Sequence, residues 1–166
     1  MKISPNQQKG RAGYKIEAIV IHITQGDYAG ALSWLTNPQS QVSAHFLIGK
    51  DGHYEQLVAC DNTAWHAGIV KNPSCKLLKP GVNPNLYTLG IENAGTIDTP
   101  PTAEQIFALA DLVGDLCKRF SIPLDTDHII PHHAIRSDKS CPGPFFDCSH
   151  IVWLAHLTSN RKNTII

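Results

Sequence analysis

The sequence has no net charge: fourteen Lys and Arg balance fourteen Asp and Glu in a chain of 166 residues. Bulk electrostatic attraction to nucleic acid or to an anionic membrane is therefore not expected. Charged residues make up only 17% of the chain, below the usual quarter, while apolar content is ordinary at 42%. Nowhere is there a run of about 18 apolar residues, so no segment reads as a membrane span. The first thirteen residues carry Lys2, Lys9 and Arg11 but no apolar stretch, and do not read as a secretory signal. Without such a signal, Cys60, Cys75, Cys117 and Cys148 are read as reduced thiols, with a Cys60–Cys75 disulfide as the alternative. No Cys-x-x-Cys pair marks a structural zinc site, and no His-Glu-x-x-His stretch marks a zinc protease.

What the chain does have is nine histidines and one crowded loop. Pro131-His132-His133 is followed by Lys139 and by Ser140-Cys141-Pro142-Gly143-Pro144. Proline and glycine after Cys141 restrict the backbone and hold the thiolate in place. Zinc takes thiolate and imidazole ligands, and a catalytic site supplies three of them and leaves a fourth position for water. A local histidine and Cys141 supply two, so a third must come from far away, and His22 is the candidate. The bland alternative is a buried cysteine beside two surface histidines.

His22 closes the β-branched run Ala18-Ile19-Val20-Ile21-His22-Ile23, which suits a strand buried on both faces. Polar Thr24 to Asp27 follow, which sets His22 at the strand's exposed end rather than in the core. Residues 1–15 read as an extended arm. Tyr28 to Leu35 reads as a short helix ended by Asn37-Pro38. Val42 to Ile48 and His53 to Val58 flank Asp51-Gly52, a hairpin signal. Ala64-Trp65-His66-Ala67-Gly68 reads as a loop whose tryptophan either plugs the core edge or lines a groove. Residues 69–88 hold too many prolines and glycines for a long element. Leu89 to Asn93 is a short strand with a carboxylate, Glu92, among apolar neighbours. Thr102 to Phe120 is the clearest helix: Thr102 and Gln105 form a capping box, and Ile106, Leu109, Val113, Leu116 and Phe120 share a face. His128 to Ile130 reads as a strand leading to the loop, and His150 to Leu157 as a closing helix. The expected fold is α/β, a central mixed sheet flanked by helices, in one domain spanning 1–166 with a tail from 158.

These ordered motifs together resemble the zinc-dependent N-acetylmuramoyl-L-alanine amidases of the type 2 family, whose fold is shared with peptidoglycan-recognition proteins and many phage endolysins. The resemblance is carried by the strand ending in His22, Val42 to Ile48 with Asp51-Gly52, Ala64 to Gly68, Gly90-Ile91-Glu92, and His133 through Gly143. It implies hydrolysis of the amide between N-acetylmuramic acid and L-alanine in peptidoglycan. It further implies one zinc ion held by His22, His133 and Cys141, with Glu92 and Lys139 as catalytic side chains. His132 is a ligand candidate by composition, but the family spacing favours His133. Trp65, His66 and His45 are the implied substrate contacts. Many relatives have tyrosine where this chain has Ala44, which moves the general-base role onto Glu92, and some have aspartate where this chain has Cys141. The partner implied is a muramyl peptide, with no nucleic acid and no membrane. The expected setting is synthesis without a signal peptide and action on the bacterial wall after release. A cytoplasmic enzyme recycling anhydromuropeptides and a non-catalytic peptidoglycan-binding module are the alternatives.

Overall fold

The computed structural model describes residues 2–162 of the chain. In chain order the strands and helices are β1 (Gln7–Gln8), β2 (Ala18–Ile23), α1 (Tyr28–Leu35), β3 (Phe46–Ile48), β4 (Tyr54–Gln56), β5 (Thr63–Ala64), β6 (Thr88–Asn93), α2 (Ala103–Phe120), β7 (Ile129–Pro131) and α3 (Cys148–Lys162). Five strands form one mixed sheet in the order β4-β3-β6-β2-β7. β3, β6, β2 and β7 run parallel, and β4 joins β3 antiparallel across the Asp51-Gly52 turn. The expected mixed α/β architecture is what the chain adopts, with the hairpin strands shorter than their apolar runs suggested.

Alternation along the strands sorts side chains onto two faces. Ile19, Ile21 and Ile23 of β2, Leu89 and Ile91 of β6, and Ile129 of β7 fall on one face and pack against α2 and α3. Full burial of each such side chain stabilises the fold by roughly 1.5–3 kcal/mol. α2 meets this face through Leu109, Ala110, Val113, Leu116 and Cys117. Its start is set by Thr102, whose hydroxyl accepts from Gln105 N at 3.1 Å. The capping box is only half formed, because Gln105 Nε2 donates instead to Ala94 O at 2.9 Å and Ile48 O at 3.3 Å. Gln105 is fully buried and tethers α2 to the ends of β3 and β6.

The opposite face is smaller. α1, capped by Asp27 Oδ1 accepting from Gly30 N at 2.7 Å, covers β3 through a cluster of Leu35, Leu47 and Leu57. A second cluster joins Val20, Ala67, Ile130 and Ile135. Between these two clusters lie the C-terminal ends of β2 and β6.

The amino-terminal segment, expected to be an extended arm, is built into the body. β1 pairs antiparallel with β5, and Ser4, Asn6 and Arg11 are buried. Arg11 donates to Cys60 O at 2.6 Å from Nε, and from Nη1 to Asn85 O, Leu86 O and Thr88 O at 3.1–3.2 Å. Burial lowers its pKa to about 10, so it stays charged at neutral pH. These carbonyls offset the desolvation of a buried guanidinium. All five cysteines are free thiols. α3 extends through Lys162, past the expected start of the tail, and the last four tail residues lie outside the described residues. Among the described residues no helix is long and apolar enough to cross a membrane.

Candidate active site

β2 and β6 are in register with His22 beside Glu92, so both side chains leave the sheet on the same face, near the carboxyl ends of parallel strands. Open α/β sheets build sites at such strand ends. β7 pairs with β2 through Ile130 beside Val20, which brings the residue two further on, His132, to the same face as His22. The rings of His22 and His132 are 4.4 Å apart between centroids. Cys141 reaches them from the following loop: its Sγ lies 3.8 Å from His22 Nδ1 and accepts from Ile23 N at 3.3 Å. One ligand atom each from His22, His132 and Cys141 lie within 4.8 Å of one another.

The structure thus brings His132, rather than the expected His133, beside His22 and Cys141. His133, not His132, points away: it is exposed, and both its backbone N, at 2.9 Å, and its Nδ1, at 3.2 Å, face Cys141 O. His133 braces the loop that presents the thiol. His132 is buried and donates from Nε2 to Ala67 O at 3.1 Å, which leaves Nδ1 as its free ligand atom. Strand parity was the available signal, since Val20 with His22 and Ile130 with His132 are each two residues apart.

Two imidazole nitrogens and a thiol form a donor set suited to zinc. The local electrostatics fit a cation there. Burial, and then His132 and His66 beside it, hold His22 well below its usual pKa, so the ring is neutral and available to coordinate. Burial also lowers His132, outweighing its hydrogen bond to Ala67. Burial and then the Glu92 charge push the Cys141 thiol up to about 12. Burial likewise raises Glu92 to about 8, and its Oε2 is buried without a hydrogen-bond partner. A dication at the cluster would favour both the thiolate and the carboxylate.

The cluster opens into a cavity of about 760 Å³ whose lining includes His22, His132, Cys141, Glu92, Lys139 and Trp65. Lys139 is exposed at its rim. Trp65 is 37% exposed and lines the cavity, so it is a wall and not a core plug. Trp34, read only as part of a short helix, is 57% exposed and forms a second aromatic wall. His66 lies behind His22, with only 9% of its surface exposed. His45, expected to touch substrate, is instead fully buried: its Nδ1 accepts from Gly90 N at 3.0 Å and its Nε2 lies 2.8 Å from Arg11 Nη2. Burial and then the Arg11 charge take its pKa down to about 3. Asn85 was not foreseen. Its Oδ1 accepts from the backbone N of His66 at 3.1 Å and of Ala67 at 2.8 Å, fixing the Trp65 loop against the sheet.

Comparison with known proteins bears on this arrangement. Residues 12–144 match the family described as N-acetylmuramoyl-L-alanine amidase. The chain is 34% identical over 160 residues to N-acetylmuramoyl-L-alanine amidase A of Achromobacter lyticus, covering 84% of this chain and 82% of that protein. It is also 34% identical over 125 residues to the 1,6-anhydro-N-acetylmuramyl-L-alanine amidase AmpD of Salmonella typhimurium, covering 75% of this chain and 63% of AmpD. Among solved structures, a selenomethionine AmpD derivative superimposes with a TM-score of 0.75 at 26% identity, over 92% of this chain and 91% of that one. AmiD from E. coli, in complex with anhydro-N-acetylmuramic acid-L-Ala-D-gamma-Glu-L-Lys, gives 0.72 at 27% identity, over 89% of this chain and 60% of that one.

Proposed function

The chain belongs to the N-acetylmuramoyl-L-alanine amidase family, and from that premise we propose a zinc-dependent hydrolase whose metal is held by His22, His132 and Cys141. The observation that carries this reading is the approach of three donor atoms, from β2, the turn after β7 and the following loop, to within 4.8 Å at the floor of an open cavity. Zinc bound there would lower the pKa of a coordinated water toward about 7 and polarise a carbonyl oxygen.

The remaining work falls to the chain's own side chains. Glu92, ionised when a cation occupies the cluster, would take a proton from the attacking water and deliver it to the leaving amine of L-alanine. Lys139 at the rim supplies an ammonium to the tetrahedral oxyanion. Trp65 and Trp34 offer apolar, flat walls on which a sugar ring or the lactyl arm of a muramyl peptide can lie. His45 has no part in binding, being sealed in the interior.

We take the physiological substrate to be the polymeric wall, cleaved in the manner of an endolysin or autolysin. A second reading, turnover of soluble anhydromuropeptides, is favoured by the likeness to AmpD across nearly the full length of both structures. Mass spectrometry of digests separates them. The first predicts new L-alanine amino termini on intact glycan from whole sacculi. Cleavage confined to soluble 1,6-anhydro fragments would establish the second, and no new L-alanine terminus from either substrate would overturn both.

A further inference from the structure

His66 sits behind the candidate metal cluster, and its surroundings fix which way its hydrogen bonds run. Thr88 Oγ1 has a single proton, and that proton goes to Pro84 O at 2.8 Å, because a carbonyl can only accept. Toward His66 Nε2, 3.2 Å away, the hydroxyl must therefore accept, so Nε2 carries the hydrogen. A neutral imidazole has one proton, which leaves His66 Nδ1 bare. Nδ1 lies 3.1 Å from His22 Nε2 and accepts from it. His22 in turn has no hydrogen on Nδ1, the atom facing Cys141 Sγ at 3.8 Å.

From this chain of hydrogen bonds we infer that His66 is a positioning residue. It holds His22 in the Nε2–H tautomer, so that the Nδ1 lone pair faces the metal cluster. His132 receives the same service from Ala67 O. A partner on the far nitrogen is how metal-bound histidines are oriented in general. Three features fix the His66 ring. Asn85 holds its backbone N, Thr88 holds its Nε2, and Gly90 leaves it room. A Cβ at Gly90 would come within 2.4 Å of His66 Cγ, so any side chain there would have to push the ring aside.

The inference rests on the zinc reading, and its test separates the two. Long-range ¹H–¹⁵N correlation of the imidazole nitrogens in metal-free wild type should show His22 protonated at Nε2 and bare at Nδ1. Replacement His66→Phe, with the fold checked by circular dichroism, should give mixed His22 tautomers and weaken zinc binding by about 10–100-fold in calorimetry. His66→Asn puts an amide oxygen near the former Nδ1 and should restore most of the affinity. A wild-type His22 protonated at Nδ1 would overturn the assignment, with no variant needed. So would a folded His66→Phe protein with unchanged tautomer and zinc affinity. Wild type that takes up no zinc while His22 still shows Nε2–H would overturn the zinc reading and leave the hydrogen-bond relay standing.

Discussion

On the helix side of the sheet, β2 and β6 present Ile19, Ile21, Ile23, Leu89 and Ile91, all buried among other apolar side chains. One residue along, on the other side, the same strands present Val20, His22, Thr88, Gly90 and Glu92. The first face is held by area removed from water, which is non-directional and tolerates apolar exchange of similar volume. At the site end of the second, beyond the Val20 cluster, directed contacts hold the side chains: Thr88 to His66, His66 to His22, His22 toward Cys141. Directed contacts tolerate little, since each partner has one correct atom. Substitutions on the two faces should therefore fail in different ways, the first losing stability and the second losing chemistry or metal.

The largest effect is expected on the directed face. Glu92→Gln should retain zinc and the fold while amide hydrolysis falls by about 10²–10⁴-fold. Undiminished turnover would remove Glu92 from the proposed mechanism. On the helix face, Ile91→Ala should cost about 2–5 kcal/mol in urea denaturation, with the turnover of the folded fraction unchanged. Gly90→Ala sits between the two behaviours. The added methyl must displace the His66 ring, costing about 1–3 kcal/mol by overpacking and also weakening zinc binding. A Gly90→Ala protein that loses stability but keeps full zinc affinity would separate His66 from the cluster.

The metal-free protein should also show the contrast in its pH dependence. Burial raises Glu92 from 4.5 to about 8, so between those values the folded state keeps a proton that the unfolded chain releases. Below 6.5 the buried, neutral histidines give the opposite slope, so stability should fall with rising pH between that value and about 8, where Glu92→Gln should flatten the slope. Urea midpoints of metal-free wild type and Glu92→Gln between pH 6.5 and 8 measure it; a wild-type midpoint that falls no faster than that of Glu92→Gln would contradict the buried, neutral carboxyl. The smallest change is expected at Thr102, far from the cluster, where Thr102→Ala removes the α2 cap for about 1 kcal/mol and leaves hydrolysis alone.

The apolar face was largely legible in the sequence, because periodicity alone encodes it. The β2 run, the α1 boundaries, the hairpin and α2 follow from alternation, helical spacing and breaker residues. The site was legible in its residue types and its loop, and in the pairing of His22 with Cys141. It was not legible in the choice between two adjacent histidines, which depends on where β7 ends and a tight turn begins. The family spacing pointed to His133, and the parity of β7 against β2 brings His132 beside His22. His45 misled because a histidine beside a strand looks like a site residue until its partners are known. Those partners are Gly90 and Arg11, 45 and 34 positions away in sequence. Arg11 itself gave no sign of its role, since its carbonyl acceptors lie 49 to 77 positions downstream.

If His22, His132 and Cys141, and not His133, hold one zinc ion, replacing the two adjacent histidines in turn must give opposite results. Metal content can be read by plasma mass spectrometry on wild type, His132→Ala and His133→Ala, each purified with limiting zinc. We expect one zinc per chain in wild type and in His133→Ala, and little in His132→Ala. Zinc lost from His133→Ala and kept by His132→Ala would contradict that ligand set.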